Sequence, residues 1–358
     1  MMMSKPGELA LIETIRARSG NAAAAAHIGR GFAQSVALGI GDDCAILRQP
    51  KGREILVTTD FTLEGRHFRR DWHPAESVGH WALARGLSDL AAMGARPMAA
   101  FLSLALPAEM LTTRGGRSWV ERFFAGLHGL AGQWSVPLAG GDTSESPCDR
   151  VLADIVLVGS APAGRALRRS GGRPGDALYV TGQLGGAAAE LIEMEWRAAG
   201  SNSRPPRKPV QHQAGTHPQM YPQPRVDVGL ALLRRRIATA SIDLSDGLST
   251  DLAHLCRESG VGAEVLEAAL PVHPLALKLG GSPDRAIELA LNGGEDYELL
   301  FAAPSAIRMP RSMAGVPVTR IGRLIRGKAI SIVDSAGQRR PLEPGGWEHF
   351  ARRKSRPA

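Results

Sequence analysis

Cysteine is scarce in this chain of 358 residues. Only Cys44, Cys148 and Cys256 occur, and they are widely separated. Disulfide scaffolds and Cys-x-x-Cys metal sites both need several cysteines at short spacings, so the sequence excludes both kinds of site. We therefore expect three reduced thiols that are largely buried.

Long hydrophobic runs are also missing. The longest apolar stretch, at about residues 98–108, is interrupted by Ser103 and Pro107. It is far shorter than the roughly 20 residues that a helix needs to cross a bilayer. The first residues, Met-Met-Met-Ser-Lys-Pro, lack the basic and then apolar order of a secretion signal. These absences predict a cytoplasmic protein without a membrane partner.

Aromatic residues make up only 5% of the chain, although its net charge is +8 and its pI is near 9.9. Proteins that bind nucleic acids usually combine basic charge with a basic helix or with interleaved aromatic side chains, and neither pattern occurs here. Much of the basic excess lies in Arg-Pro segments and in residues 352–356. We therefore predict no nucleic-acid partner, and a solvated basic surface that attracts anionic substrates.

The common nucleotide-binding motifs are absent as well. Lys328 follows Gly327 but precedes Ala329, so the phosphate loop Gly-x-x-x-x-Gly-Lys-Ser/Thr is not formed. Cys44 stands where a dinucleotide fingerprint beginning at Gly39 needs its third glycine. No protein-kinase His-Arg-Asp loop occurs either. If the protein uses ATP, it does so on a less common architecture.

The composition is that of a globular protein, with 44% hydrophobic and 22% charged residues, and the length favours two domains. The order of predicted elements indicates an α/β (α+β) protein, with a mixed α+β domain at 1–160 and an α/β domain at 161–358. Residues 198–224, rich in Pro, Gln, Arg and His, predict a flexible insertion. The residue patterns predict helices at 7–18, 74–94, 118–134, 185–197, 225–237, 249–259 and 283–291, and strands at 44–47, 54–59, 97–106, 136–139, 151–159, 177–181, 261–266 and 299–302.

Acidic residues recur where predicted elements end, mostly beside glycine. Each such junction alone is explained as a turn or a helix cap. Their number, and their spread over both predicted domains, favour one converging acidic site instead. Clustered carboxylates repel one another unless a cation neutralises them, and their hard oxygen atoms suit Mg²⁺ carrying a polyphosphate. The junctions are Asp42 and Asp43 with Asp60, then Asp89, Asp142, Asp243 with Asp246, and Glu295 with Asp296.

Seven short motifs carry a resemblance to a known family. They occur in that family's order and span roughly residues 38–350, which makes the match far more specific than any single motif. The motifs are Gly39–Ala45, Thr58–Asp60, Glu64–Phe68, Leu87–Gly94, Gly140–Thr143, Ile242–Gly247 and Gly293–Glu298. Together they resemble the thiamine-monophosphate kinase family.

The resemblance implies a fold, a reaction and an assembly. The fold would be the two-domain aminoimidazole ribonucleotide synthetase-like fold. The reaction would be the ATP-dependent phosphorylation of thiamine phosphate to thiamine diphosphate, the last step of thiamine diphosphate biosynthesis. Transfer would be direct and in line, without a phosphoenzyme and with several Mg²⁺ ions. The N-terminal domains would form a homodimer.

The resemblance also implies roles for single residues. Contacts with thiamine phosphate are implied for His67, Glu295 and Trp347, and an indole face suits a cationic or aromatic ring. Contacts with ATP are implied for Gly141, Asp142, Arg165 and Ser245. The Mg²⁺ ligands, whose carboxylates would serve catalysis by positioning the metal, are implied to be Asp43, Thr58, Thr59, Asp60, Asp89, Asp142, Asp243 and Asp246. The number of ions and a need for a monovalent cation are left open.

Two other functions fit the same residues. One is a sibling enzyme of the same fold, similar to selenophosphate synthetase or aminoimidazole ribonucleotide synthetase. The other is a catalytically silent regulator that binds a nucleotide or a metal. Only the thiamine-phosphate hypothesis gives both His67 and Trp347 a role, and the full set of carboxylates argues against a silent protein.

Overall fold

The computed structural model describes residues 11–16, 35–40, 44–199 and 217–347. The chain divides into two compact units. The first comprises Met1–Leu167 and Met194–Arg235, and the second comprises Arg168–Glu193 and Arg236–Ala358. A helix from the middle of the chain therefore belongs to the first unit. The domain limits 1–160 and 161–358 stay a prediction.

The first unit is built on a four-stranded sheet in the order β3-β6-β4-β5. Strand β3 (Arg53–Leu63) pairs antiparallel with β6 (Leu152–Pro162) along its whole length. Strand β4 (Arg96–Leu106) lies antiparallel to β6 and parallel to β5 (Leu138–Glu145). Both β3 and β5 extend beyond their predicted ends at 59 and 139, because a neighbouring strand offers hydrogen bonds along the extra residues. Asp60 and Asp142 therefore lie inside strands, and not at strand ends as predicted.

Two helices of the first unit, α2 (Ala75–Ala92) and α4 (Arg114–Gln133), pack closely against each other. Their backbones touch because glycine stands at the crossing. A Cβ atom on Gly126 would lie 1.8 Å from the carbonyl oxygen of Glu76, and one on Gly79 would lie 1.8 Å from that of Phe123. Helix α2 is buried along most of its length and also contacts β3 and β6. Because α2 lies beside β3, Asp89 of the helix comes close to Asp60 of the strand.

Helix α6 (Val226–Arg235) and the residues before it pack on the first unit. A Cβ atom on Gly229 would lie 2.0 Å from the carbonyl oxygen of Ala91 at the end of α2. Met220 and Tyr221 are buried, and the Pro222 carbonyl lies 2.7 Å from His80 Nε2. Residues 200–216 of the predicted insertion lie outside the described residues, while its last part is packed because it carries these apolar side chains.

One face of the sheet of the first unit carries exposed apolar side chains on β3. On β3 the side chains alternate, so that Leu56 and Thr62 are buried while their neighbours face outward. Ile55, Val57 and Phe61 are 39%, 64% and 61% exposed. Large apolar side chains in such a row are unusual on a protein surface and mark an interaction face.

The second unit is an eight-stranded sheet in the order β14-β13-β9-β12-β7-β10-β8, with β11 paired to β12. Only β9 and β13 are parallel. Its core joins alternate residues of the central strands, such as Val180, Ile242 and Leu300, to Leu252 and Leu255 of helix α7. The strands are β7 (Ala177–Thr181), β8 (Ala240–Asp243), β9 (Gly262–Leu266), β10 (Leu299–Ala303), β11 (Ser312–Met313), β12 (Val316–Ile325), β13 (Ile330–Val333) and β14 (Arg339–Pro341). The helices are α7 (Leu248–Ser259), α8 (Pro274–Leu279), α9 (Pro283–Asn292) and the part of α5 (Gly186–Ala199) that precedes Met194.

The remaining elements are short. Residues 11–16 are helical (α1), β1 (Val36–Leu38) pairs with β2 (Ile46–Leu47), and α3 (Glu109–Thr112) precedes α4. Within the described ranges, no helix is both long and apolar enough to span a membrane. The expectation of largely buried thiols is wrong for two of the three cysteines, since Cys44 and Cys148 are exposed and only Cys256 is buried. Cys44 and Cys148 lie in polar connections outside the main strands and helices, where no core is available to cover them.

Candidate active site

The first acidic centre joins β3 to α2. Asp60 on the strand and Asp89 on the helix face each other closely enough for the charge of Asp89 to act on Asp60. The Thr58 hydroxyl donates a hydrogen bond to Asp89 Oδ2. Asp60 Oδ2 is buried and has no hydrogen-bond partner among the described residues. Burial, reinforced by the negative charge of Asp89, raises the pKa of Asp60 to about 7, against the opposing effect of Arg85.

A basic and aromatic group borders this centre. Arg85 Nη2 lies 3.5 Å from Asp60 Oδ1, and the Arg85 guanidinium carbon lies 5.0 Å from the ring centroid of Trp81. The Trp81 ring is 5.7 Å from the ring of His67. His67 Nδ1 accepts a hydrogen bond of 3.0 Å from the Leu63 amide, so the neutral imidazole carries its proton on Nε2. His67, predicted to contact substrate, is therefore linked to the predicted metal ligand Asp60 through the side chains of Trp81 and Arg85.

Other predicted residues of the first unit lie on the opposite face of the same sheet. Side chains alternate along a strand, so Thr59 faces away from Thr58 and Asp60. Its hydroxyl donates to Asp154 Oδ1 at 2.8 Å. Ser103 on β4 pairs with both Asp154 and Asp142, which puts Asp142 on that face as well.

Asp154 was not predicted as a candidate. Its only signal in the sequence is a carboxylate at an alternate position within an apolar strand. It lies inside the predicted strand 151–159, so the pattern of acidic residues at the ends of elements passes over it.

A cavity of about 590 Å³ lies beside β5 in the first unit. One wall is the backbone of Gly140 and Gly141 with the side chains of Asp142 and Thr143, and most other walls are apolar. A Cβ atom on Gly141 would lie 1.9 Å from the Leu102 carbonyl oxygen, so glycine at this position lets β5 lie against β4. The other lining residues include Ile12 and Ile15 of α1, Gly39, Ile40, Phe101, Leu102, Phe124 and Leu138.

Arg165, a predicted ATP contact, is exposed and lies in the turn after β6, where its amide bonds the Pro162 carbonyl. Pro162 pairs with Arg53, at the far end of β3 from Asp60. Seven residues of strand separate Arg53 from Asp60, a distance of about 23 Å at 3.3 Å per residue. Arg165 and the first acidic centre therefore lie at different ends of the sheet.

The second acidic centre follows β8 in the second unit. Asp243 ends the strand and is buried. The Ser245 carbonyl accepts a hydrogen bond of 2.8 Å from the Glu295 amide, and the Asp246 carbonyl accepts one of 3.0 Å from the Trp347 amide. Main-chain bonds thus bring together all the site residues predicted in this unit.

Asp251 holds the loop of this second centre. Its Oδ2 accepts hydrogen bonds of 3.1 Å from the amides of both Asp246 and Gly247. Burial, together with the negative charges of Asp243 and Asp246, raises the pKa of Asp251 to about 8. Sequence reasoning missed this residue, although an acid in the first turn of a helix is a known signal for binding free amides.

The loop Gly293–Glu298 shows strain at one predicted residue and a structural role for its neighbour. Glu295 and Tyr297 have positive φ angles of 70° and 50°, which are costly for residues with side chains and are often found at functional sites. Asp296 accepts hydrogen bonds of 2.7 Å and 3.2 Å from the amides of Gly185 and Ala187 at the start of α5. Burial raises the pKa of Asp296 to about 7. This carboxylate of the acidic set is therefore a helix cap.

The described side chains form no compact metal group. No three His, Cys, Asp or Glu residues among them are close enough to hold one ion. Asp43, a predicted ligand, lies outside the described residues, as does Asp42. The pair Asp60 and Asp89 with the Thr58 hydroxyl nevertheless offers hard oxygen atoms, including one buried carboxylate oxygen without a partner, and this donor set suits Mg²⁺. The assigned ligands stay predictions.

Comparison with known proteins identifies the family. The model "AIR synthase related protein, N-terminal domain" matches residues 41–161, and "AIR synthase related protein, C-terminal domain" matches residues 173–335. The thiamine-monophosphate kinase of Escherichia coli K12 is 39% identical over 320 residues, which cover 88% of this chain and 93% of that protein. This chain belongs to the thiamine-monophosphate kinase family. The resemblance seen in the seven motifs is thereby confirmed.

Solved structures of the kinase family share the fold. A thiamine-monophosphate kinase from Stenotrophomonas maltophilia K279a aligns with a TM-score of 0.74 at 35% identity, over 91% of this chain and 96% of that one. AaThiL complexed with AMPPCP and TMP aligns with a TM-score of 0.70 at 29% identity, over 98% of this chain and 99% of that one. The predicted two-domain α/β architecture is confirmed.

Proposed function

We propose that this protein transfers a phosphoryl group from ATP to thiamine phosphate and so makes thiamine diphosphate. The observation that carries the proposal is the relation to AaThiL, which covers nearly the whole chain and whose structure holds the ATP analogue AMPPCP together with TMP. The E. coli relative, a thiamine-monophosphate kinase at 39% identity, supports the same reaction. A sibling enzyme of the same fold is less well supported, because the identity and coverage point to this family.

Mg²⁺ would be held at the two acidic centres. Asp60, Asp89 and Thr58 supply oxygen atoms in the first unit, and Asp243 and Asp246 supply them in the second. Asp43, Thr59 and Asp142 are also proposed as ligands, and of these Thr59 and Asp142 lie on the opposite face of the sheet from Asp60 and Asp89. When bound, Mg²⁺ offsets the negative charge of the phosphate oxygens during transfer.

ATP would contact Gly141, Asp142, Ser245 and Arg165. The 590 Å³ cavity lies beside Gly140 and Gly141 of β5, and its apolar walls suit a base. Asp251 keeps the Ser245 loop in place through the two amides that it binds. Arg165 is the least supported contact, since it lies far along the sheet from Asp60.

Thiamine phosphate would contact His67, Glu295 and Trp347. Trp347 is 43% exposed, and its indole offers an aromatic face to the cationic ring of the substrate. The Glu295 carboxylate adds a negative charge, and the His67 ring, with Nε2 protonated, is able to donate to a phosphate oxygen. The protein would orient both substrates for direct in-line transfer, so that no side chain needs to carry the phosphoryl group.

A homodimer is part of the proposal. The exposed row Ile55, Val57 and Phe61 on the open face of the first sheet supplies an apolar surface for a second copy of the chain. Thr59, Asp142 and Asp154 lie on the same face, so a partner there would border these polar groups.

The decisive experiment incubates the purified chain with ATP and Mg²⁺ in three parallel reactions, which contain thiamine phosphate, free thiamine or no acceptor. Thiamine diphosphate is measured directly. We expect it only from thiamine phosphate, and we expect Asp60→Asn to abolish its formation. If ATP binds but no acceptor is phosphorylated, the proposal fails, and a sibling substrate or a silent regulator becomes the better hypothesis. Asp89-dependent ATP turnover on any acceptor would exclude the silent regulator.

A further inference from the structure

Arg85 occupies a special position beside the first acidic centre. It lies four residues before Asp89 and four after Trp81, so the three side chains are stacked along one face of α2. Its guanidinium reaches Asp60 on the neighbouring strand at 3.5 Å. The two side chains are only 16% and 22% exposed, so water screens their charges weakly.

The guanidinium is held from a second side as well. Trp81 is buried, and its ring lies 5.0 Å from the guanidinium carbon, within the range of a cation–π contact. Trp81 in turn packs beside His67. A planar cation fixed between a carboxylate and an indole has little freedom to leave when another cation arrives.

We propose that Arg85 acts as a tethered cation of the acidic centre, which offsets the charges of Asp60 and Asp89 in the ion-free protein and weakens the binding of a bare divalent ion there. This inference rests on the proposed function, which assigns both carboxylates to the metal. A bare ion adds two positive charges next to the guanidinium and is repelled. An ion that arrives with nucleotide phosphates brings compensating negative charge, which Arg85 attracts. Arg85 thereby selects the metal–nucleotide complex over the free metal.

The test measures Mn²⁺ binding to the full-length chain without nucleotide, by the electron paramagnetic resonance signal of free Mn²⁺. Arg85→Met removes the charge and keeps an unbranched side chain against Trp81. We expect the tightest Mn²⁺ site to bind about tenfold more tightly, since a charge within a few ångströms at low screening acts on this scale. Arg85→Lys keeps the charge and should stay within about twofold of the wild type.

Two controls locate the effect. Arg122→Met breaks another ion pair of the same unit, that of Arg122 with Glu76, and should leave Mn²⁺ affinity unchanged. In an Asp60→Asn background, the gain from Arg85→Met should largely vanish, because the carboxylate that the guanidinium faces is gone. In EDTA, the Arg85→Met chain should have a lower melting temperature than the wild type. Added Mn²⁺ should raise the melting temperature of Arg85→Met by more than it raises that of the wild type.

An unchanged or weaker Mn²⁺ affinity in Arg85→Met overturns the inference, and so does an equal gain in the Asp60→Asn background. A chain that binds no Mn²⁺ either as the wild type or as Arg85→Met overturns it too. Failure of the proposed function is recognised separately, as a tighter Mn²⁺ site in Arg85→Met without thiamine diphosphate formation by the wild type.

Discussion

The negative charge of Asp89 can be removed by one substitution that keeps the shape of the side chain. Asn keeps the size of the side chain and an oxygen that accepts the Thr58 hydrogen bond, but it loses the negative charge facing Asp60. Removing one of two neighbouring negative charges relieves repulsion, so the fold should tolerate the change. Because Asp89 is a proposed metal ligand, we expect its loss to lower turnover alone.

We therefore expect Asp89→Asn to lower kcat by roughly 100-fold or more, while the melting temperature shifts by less than about 4 °C. Asp243→Asn should behave in the same way. Thr58→Val, which removes only the hydroxyl that donates to Asp89, should cost roughly tenfold in kcat. A melting temperature that collapses in Asp89→Asn would show that this carboxylate serves the fold.

His73 predicts a pH dependence that has nothing to do with the acidic centres. The ring is buried, its Nε2 has no hydrogen-bond partner among the described residues, and burial lowers the pKa of His73 from its ordinary 6.5 to about 4. Below pH 6.5 the unfolded chain therefore binds a proton that the folded chain refuses. The free energy of unfolding should fall as the pH drops from about 6.5 to 4, by up to ~3 kcal/mol from this residue.

The measurement is urea unfolding of the wild type and of His73→Asn between pH 7 and pH 4.5. His73 Nδ1 lies 3.2 Å from both the amide nitrogen and the carbonyl oxygen of Arg69, and Asn offers both a donor and an acceptor there without titrating. The variant should lose part of the acid-dependent slope. Equal slopes in the two proteins would mean that His73 is protonated or solvated in the folded state.

At the same scale, the sequence was most informative about acidic residues near the ends of predicted elements, several of which stand beside glycine. That pattern located Asp60, Asp89 and the loop after β8, but it also included Asp296, which caps α5. It passed over Asp154 and Asp251, because their roles arise from strand register and from a folded-back loop. Such contacts depend on partners that are distant in the sequence.

Among the elements, helix α4 allows a matched test of close packing. Gly126 meets the backbone of α2, whereas a Cβ atom on Gly129 of the same helix would have nothing within 4 Å. Alanine favours a helix over glycine by about 1 kcal/mol at an open position. At a blocked position the overlap separates the two helices, which costs several times more.

We expect Gly126→Ala to lower the free energy of unfolding by at least ~2 kcal/mol, and Gly129→Ala to raise it by up to ~1 kcal/mol. Chemical denaturation of both variants checks this difference. If both substitutions stabilise the protein, α2 and α4 do not approach as closely as described.

Helices with clear end signals were predicted well, since Pro74 and Gly94 bracket α2 and an apolar stripe lies between them. Most strand positions were also predicted, but not their lengths. Asp60 and the segment Gly140–Glu145, with two glycines and two acids, have weak strand propensity of their own, and pairing with β6 and β4 holds them extended. The short helices α3 and α8 were missed because each has too few residues to show a period.

For the whole molecule, the open sheet face makes a prediction about assembly. Val57 is the most exposed of the large apolar side chains on β3. If this face joins two copies, Val57→Asp places a charge in an apolar contact, which is costly to bury. Wild-type protein should then sediment at twice the 38.0 kDa of one chain, and the variant as a monomer.

The matched control for this test is Leu277→Asp on α8, where an exposed leucine lies in the second unit and not on the sheet of the first. It should leave the assembly unchanged. A wild-type monomer, or a Val57→Asp protein that still forms dimers, would contradict the proposed assembly. Sequence patterns alone do not reveal this face, because whether a strand's outer side is covered depends on what packs there.

Trp347 is joined to the second acidic centre through its amide, which donates to the Asp246 carbonyl. Nineteen of the twenty amino acids supply that same donor, and only proline lacks it. Substitutions of Trp347 during evolution, other than to proline, therefore keep the hydrogen bond from the residue 347 amide to the Asp246 carbonyl. A single substitution at this position is therefore expected to change the side chain that faces a ligand. The backbone that positions residue 347 would stay the same.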